Sequence, residues 1–141
     1  MADLNKLYDP LIKAHQANPY HFEKITAPEL TIKANNPVCG DNYNLYPEIN
    51  GGIIVSVYFH GYGCAVSMAA SSVLAKTLEG KKIKDAIQLC SIYLDQLDGK
   101  NSTTEIPNEF SAFEAVRAFP ERYNCAALVW AEMREFLLKQ E

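Results

Sequence analysis

Leu4, Leu7, Tyr8, Leu11, Ile12 and His15 fall at helical spacing and predict an amphipathic first helix. Pro10 interrupts the pattern: it either kinks the helix or is its first residue behind an Asp9 cap. Asn18-Pro19 closes the segment. Strict alternation then takes over. Residues 30–35 read as a half-buried strand and 43–49 as a second, with Pro47 marking an edge or a bulge. Asn50-Gly51 is a hairpin signal because both residues accept positive φ. It feeds Ile53, Val55, Val57 and Phe59, apolar at period two, as the third strand.

Beyond residue 63 the period returns to that of helices. Residues 64–78 are mostly alanine, serine and aliphatic, with Gly80 as the stop. A helix over 81–97 carries Ile83, Ile87, Cys90, Leu94 and Leu97 on one stripe, which makes Cys90 a buried, inert thiol. A surface loop over 98–109 leads to a short helix over 110–119, broken by Pro120. Asn124 caps a final helix over 125–139. The expected class is α+β: a small three-stranded antiparallel sheet packed with four to five helices, in a single domain over 1–141.

Composition narrows the function classes. With 48% hydrophobic and 21% charged residues, the 141-residue chain can bury a sizeable core. A formal net charge of -4 argues against nucleic acid or an anionic membrane as partner. No Asp, Glu, Lys or Arg occurs over 50–75, but the glycines, His60 and a change of period fit a strand and a buried helix better than a membrane span. The N-terminus has neither a basic start nor an apolar core, so a cytoplasmic location is expected. Reduced cysteines there more often bind metal or do chemistry than pair.

The chemistry centres on Cys39-Gly40-Asp41, which puts a soft thiol and a hard carboxylate on one tight turn. A three-stranded meander brings that turn to the same end of the sheet as Gly61-Tyr62-Gly63-Cys64. Cys64 and Cys125 each stand at an expected helix start, where unpaired N–H groups and the helix dipole favour thiolate. Three thiols and a carboxylate suffice for one tetrahedral zinc; an iron–sulfur cluster is the other candidate. A carboxylate is more easily displaced than a thiolate, which suggests a site that exchanges a ligand. Arg122, three residues before Cys125, can offset the negative charge, or it can be a solvated surface residue. His15 and His21 read as stacking or surface histidines, since no cysteine lies near them. The cysteines are not in Cys-x-x-Cys pairs, so spacing alone also fits reduced structural cysteines.

Three motifs carry a resemblance that goes further. They are Asn36-Pro37-Val38-Cys39-Gly40-Asp41, Gly61-Tyr62-Gly63-Cys64-Ala65-Val66-Ser67 and Cys125-Ala126-Ala127-Leu128-Val129-Trp130. In that order the chain resembles the IscU/NifU-N family of iron–sulfur cluster assembly proteins over nearly its whole length. It looks most like the SufU branch. Scaffold IscU proteins carry histidine before the third cysteine, where this chain has Asn124, a departure from the usual residue of either branch. Their Leu-Pro-Pro-Val-Lys chaperone segment is replaced by Ala118-Phe119-Pro120-Glu121-Arg122. The 98–119 region and Arg122 correspond to the insertion and arginine of SufU-like members.

The resemblance implies an IscU/SufE-like fold and zinc bound by Cys39, Asp41, Cys64 and Cys125. It implies that Cys39 accepts persulfide sulfur from a SufS-like, PLP-dependent cysteine desulfurase and serves downstream iron–sulfur assembly or recipient proteins. The chain would then be a sulfurtransferase-type acceptor. It would not be an enzyme if, instead, the same residues build and hand on a [2Fe–2S] cluster as an IscU-type scaffold. A zinc-stabilised adaptor without thiol chemistry is the third expectation, and it would never carry a persulfide.

Overall fold

The computed structural model describes residues 9–37, 40–100 and 106–140. Helix α1 is Pro10–Ala17, and Asp9 accepts the N–H of Leu11 at 2.8 Å as its cap. Pro10 is thus the first helical residue, where its missing N–H costs nothing. The earlier part of the expected stripe, Leu4 to Tyr8, lies outside the described residues.

Strands β1 (Ile32–Asn36), β2 (Asp41–Asn50) and β3 (Ile53–Tyr62) form an antiparallel sheet in the order β1-β2-β3. The strand holding Pro47 is therefore central, not an edge. Its pairing with β1 stops at Leu45, however, so the missing N–H of Pro47 breaks no β1–β2 bond. The hairpin turns on Gly51-Gly52, one residue later than expected: Asn50 pairs with Ile53, and the two glycines have φ of +62° and +77°.

A bulge changes which side chains of β3 face inward. Ser56 pairs with Glu48 and Ile54 with Ile49, leaving Val55 as the extra residue. Val57 and Phe59 are buried as expected. On the far side of the bulge Ile54 is buried instead, while Ile53 and Val55 are 40% and 49% exposed. One inserted residue reverses the face of everything beyond it.

Helices α2 (Ala65–Leu78), α3 (Ile83–Leu97) and α5 (Pro120–Gln140) complete the core, with a short α4 (Asn108–Ser111) between. The helix expected over 110–119 is instead α4 followed by a 3₁₀ turn, Glu114–Ala118. Phe110, Phe113 and Val116 are buried at a strict spacing of three, which stacks on one side of a three-residue turn. Burial of α2 is nearly all round, and its small side chains let Trp130 of α5 reach in and donate to Ala70 O at 3.1 Å. Tyr93 of α3 stacks on Trp130 at 4.1 Å and donates to Ala126 O at 2.7 Å. The aromatic lock pins α3 and α5 together and holds α5 against α2. No helix among the described residues is long and apolar enough to cross a membrane.

Candidate metal centre

Asp41 is the first residue of β2, and Asn42 pairs with Tyr62 near the end of β3. Pairing therefore sets Asp41 beside the Gly63-Cys64 exit from the sheet. Gly61, at φ +150°, crosses β2 where any Cβ would strike the Asn42 carbonyl. At Gly63 a Cβ would lie 2.7 Å from Tyr43 Oη and nearer still to Ser67 Oγ and Asp41 Oδ1. Only glycine permits this closure.

Cys64 is the N-cap of α2, in extended conformation, as its position before the helix suggested. Cys125 arrives differently. Helix α5 begins at Pro120, so Cys125 lies in its second turn and Asn124 is a helical residue rather than the cap. The proline read as a breaker is a helix starter. Cys125 is 1% exposed, Cys64 is half-buried, and Asp41 is fully buried. One ligand atom from each lies within 4.8 Å of the other two, an arrangement that can hold a metal ion.

The hydrogen bonds to Asp41 are one-sided. Its Oδ1 accepts the Cys64 N–H at 3.2 Å and the Ser67 hydroxyl at 3.1 Å. Tyr43 Oη lies within hydrogen-bond distance of Ser67 Oγ, at 2.9 Å. Oδ2 is buried and has no hydrogen-bond partner among the described residues. A buried carboxylate oxygen left so costs on the order of 1–3 kcal/mol or more, which a cation would offset.

The two thiols form a coupled pair. The hydrogen bond from Cys125 lowers the pKa of Cys64, and the Ser67 N–H and hydroxyl lower it further against the effect of burial. The same bond raises Cys125, helped by burial and by Asp41. Only Cys64 has a helix N-terminus beside it, so the thiolate of the pair belongs there. Tyr43 is held above its usual value by burial.

Of the other expected site residues, Cys39 lies outside the described residues; the flanking Gly40 N–H donates to Asn36 O at 2.8 Å. Arg122 is half-buried in the first turn of α5, three residues ahead of Cys125 and on its side of the helix. Cys90 is fully buried, and desolvation pushes its thiol up to about 12. His21 stacks between Tyr20 and Tyr58 at 4.0 and 4.1 Å, and His15 Nδ1 meets Ser72 Oγ at 2.6 Å. Sequence reasoning missed Tyr43 and Ser67. A serine on a helix buried all round needs a partner, and that was the available signal.

Residues 7–126 match the NifU-like N terminal domain family. The chain belongs to that family. It is 32% identical over 141 residues to the zinc-dependent sulfurtransferase SufU of Bacillus subtilis (strain 168), covering 99% of this chain and 95% of that protein. It is 29% identical over 136 residues to the iron–sulfur cluster assembly scaffold protein IscU of Streptococcus pyogenes serotype M1, covering 96% and 85%. Its fold is similar to that of a candidate SUF-system scaffold, FiSufU, from Fervidobacterium islandicum AW-1. The TM-score is 0.85 at 26% identity, over 93% of this chain and 96% of that one. The N-terminal NifU-like protein of Brucella abortus has the same fold at TM-score 0.84, 16% identity and 98% coverage of both chains. The three-stranded antiparallel sheet with its helices is thus the fold that this family's members share.

Proposed function

We propose that this protein is a zinc-dependent sulfur acceptor and carrier for iron–sulfur cluster assembly. Cys39, Asp41, Cys64 and Cys125 hold the zinc, and Cys39 takes sulfur from a PLP-dependent cysteine desulfurase. The observation that carries the reading is the buried Asp41 Oδ2, without a hydrogen-bond partner among the described residues, beside two thiols. Two thiols and a carboxylate are a donor set that zinc accepts, and Cys39, two residues before Asp41, supplies a fourth. The likeness to SufU of Bacillus subtilis supports the same choice of metal.

Bound zinc keeps thiols ionised near neutral pH. The chain's own residues do the rest. Cys125 and Asp41 are buried, while Cys64 is half-buried and is the more accessible of the three. Cys39, as thiolate, attacks the outer sulfur of the partner's persulfide. A sulfur–sulfur bond forms at Cys39 as the partner's breaks, and the electron pair leaves with the partner's cysteine as thiolate. No external oxidant is needed. Arg122 offsets the excess negative charge of three thiolates and a carboxylate.

The second reading treats a [2Fe–2S] cluster as cargo built on the same residues; the likeness to the Streptococcus pyogenes IscU favours it. Anaerobic purification with metal analysis separates the two. Stoichiometric zinc in a colourless protein supports the carrier, and a coloured, transferable cluster supports the scaffold.

A further inference from the structure

We infer that Ser67 and Tyr43 are positioning residues that make Asp41 the fixed arm of the centre. This rests on the metal reading above. Exchangeability was the expected property of the carboxylate, but its surroundings do not suit a mobile ligand. Asp41 is fully buried, and Oδ1 is tied to the backbone of Cys64 and the hydroxyl of Ser67.

Ser67 has one hydroxyl proton and three acceptors within reach, Asp41 Oδ1 at 3.1 Å, Cys64 O at 3.0 Å and the Cys64 sulfur. The oxygen of Tyr43, with no other hydrogen-bond partner among the described residues, lies 2.9 Å from Ser67 Oγ, and because the one Ser67 proton faces those acceptors we assign Tyr43 as the donor of the pair. That donation leaves the Ser67 proton to the carboxylate, a stronger hydrogen-bond acceptor than a neutral carbonyl or a sulfur. Both oxygens are buried within the cradle that only Gly63 leaves open. With Oδ1 occupied, the carboxylate cannot rotate without breaking two bonds, and Oδ2 is left as its single ligand atom. Exchange at the centre therefore falls to a thiolate arm rather than to Asp41.

The test compares Tyr43→Phe, Ser67→Ala and the double variant with wild type, each as the full chain. Zinc release into excess chelator is timed, and the ligand-field bands of cobalt-substituted protein are recorded. Each single variant is expected to release zinc about ten-fold faster or more and to shift the cobalt bands. Because Tyr43 reaches Asp41 only through Ser67, the double variant should match Ser67→Ala instead of multiplying the two effects. A merely structural role would lower the metal-free melting temperature and leave the bands unmoved. Should Ser67→Ala not fold, Tyr43→Phe, which keeps the ring, decides alone. Wild-type release rates and bands in the variants, or multiplicative effects in the double, overturn this inference. A wild-type chain that takes up no metal overturns it together with the metal reading.

Discussion

The backbone N–H of Cys64 donates to Asp41 Oδ1 at 3.2 Å, so one proposed ligand residue holds another. They lie 23 positions apart in sequence. The arrangement carries a cost that a bound cation would offset, and that cost can be measured. Asparagine at position 41 keeps an oxygen for the two bonds and removes the buried charge. Metal-free Asp41→Asn is expected to be as stable as metal-free wild type, or up to about 2 kcal/mol more so. With zinc the order reverses, because the variant binds it about 10–100-fold more weakly. Urea unfolding with and without chelator checks both halves; a variant less stable than wild type in chelator would refute the first.

Cys90 should be silent in every thiol assay of the folded protein. It is fully buried, and desolvation pushes its thiol up to about 12, so almost none is thiolate at neutral pH. Alkylation of native protein followed by peptide mass spectrometry should label it only after denaturant is added. Cys90→Ala should keep zinc content and sulfur acceptance, at a stability cost of about 1 kcal/mol.

Stability of the metal-free protein should fall with acid partly through His15. Burial, and then the nearby Lys76, hold its pKa below 6.5, with Glu109 opposing. His15 Nδ1 lies 2.6 Å from Ser72 Oγ, which also accepts the Tyr20 N–H at 2.8 Å, so the half-buried ring is held in place. The unfolded chain takes up the His15 proton first. The stabilisation is therefore complete above 6.5 and is lost as pH falls from there through the folded value. His15→Gln should lose less stability than wild type between about pH 7.5 and about pH 5.5. Parallel losses would remove His15 from the account.

Glu79 ties the chain after α1 to β3. Its carboxylate accepts from Tyr20 Oη at 2.5 Å and from the Val57 N–H at 3.0 Å, and pairs with His21 Nδ1 at 2.6 Å. Truncation leaves several donors without their acceptor. Glu79→Ala should cost about 2–3 kcal/mol in urea unfolding, without lowering zinc content.

Much of the fold was legible because its period changes are clean. The meander, the α2 boundary at Cys64 and the burial of Cys90 all follow from spacing and small-residue content. The misses share a physical origin: they turn on local backbone choices that a hydrophobic pattern does not encode. Val55 is apolar at period two, and nothing in that alternation says a bulge will eject it. Pro120 can end one helix or begin another. The side chain after it cannot tell which, and here the choice moved Cys125 from a helix start into its second turn. Asp41, Cys64 and Cys125 could be singled out as a group because thiols and carboxylates have distinctive chemistry, and the structure brings them within 4.8 Å of one another. Tyr43 and Ser67 look like ordinary core and helix residues until their hydroxyls are placed.

The central claim is that Cys39 receives sulfur in a centre completed by Asp41, Cys64 and Cys125. The direct measurement is to incubate the zinc-loaded chain with a SufS-like desulfurase and cysteine, then locate added sulfur by peptide mass spectrometry. The account predicts it on the peptide carrying Cys39 and nowhere in Cys39→Ala. Sulfur absent from every site cysteine, or added undiminished to Cys39→Ala, would contradict it.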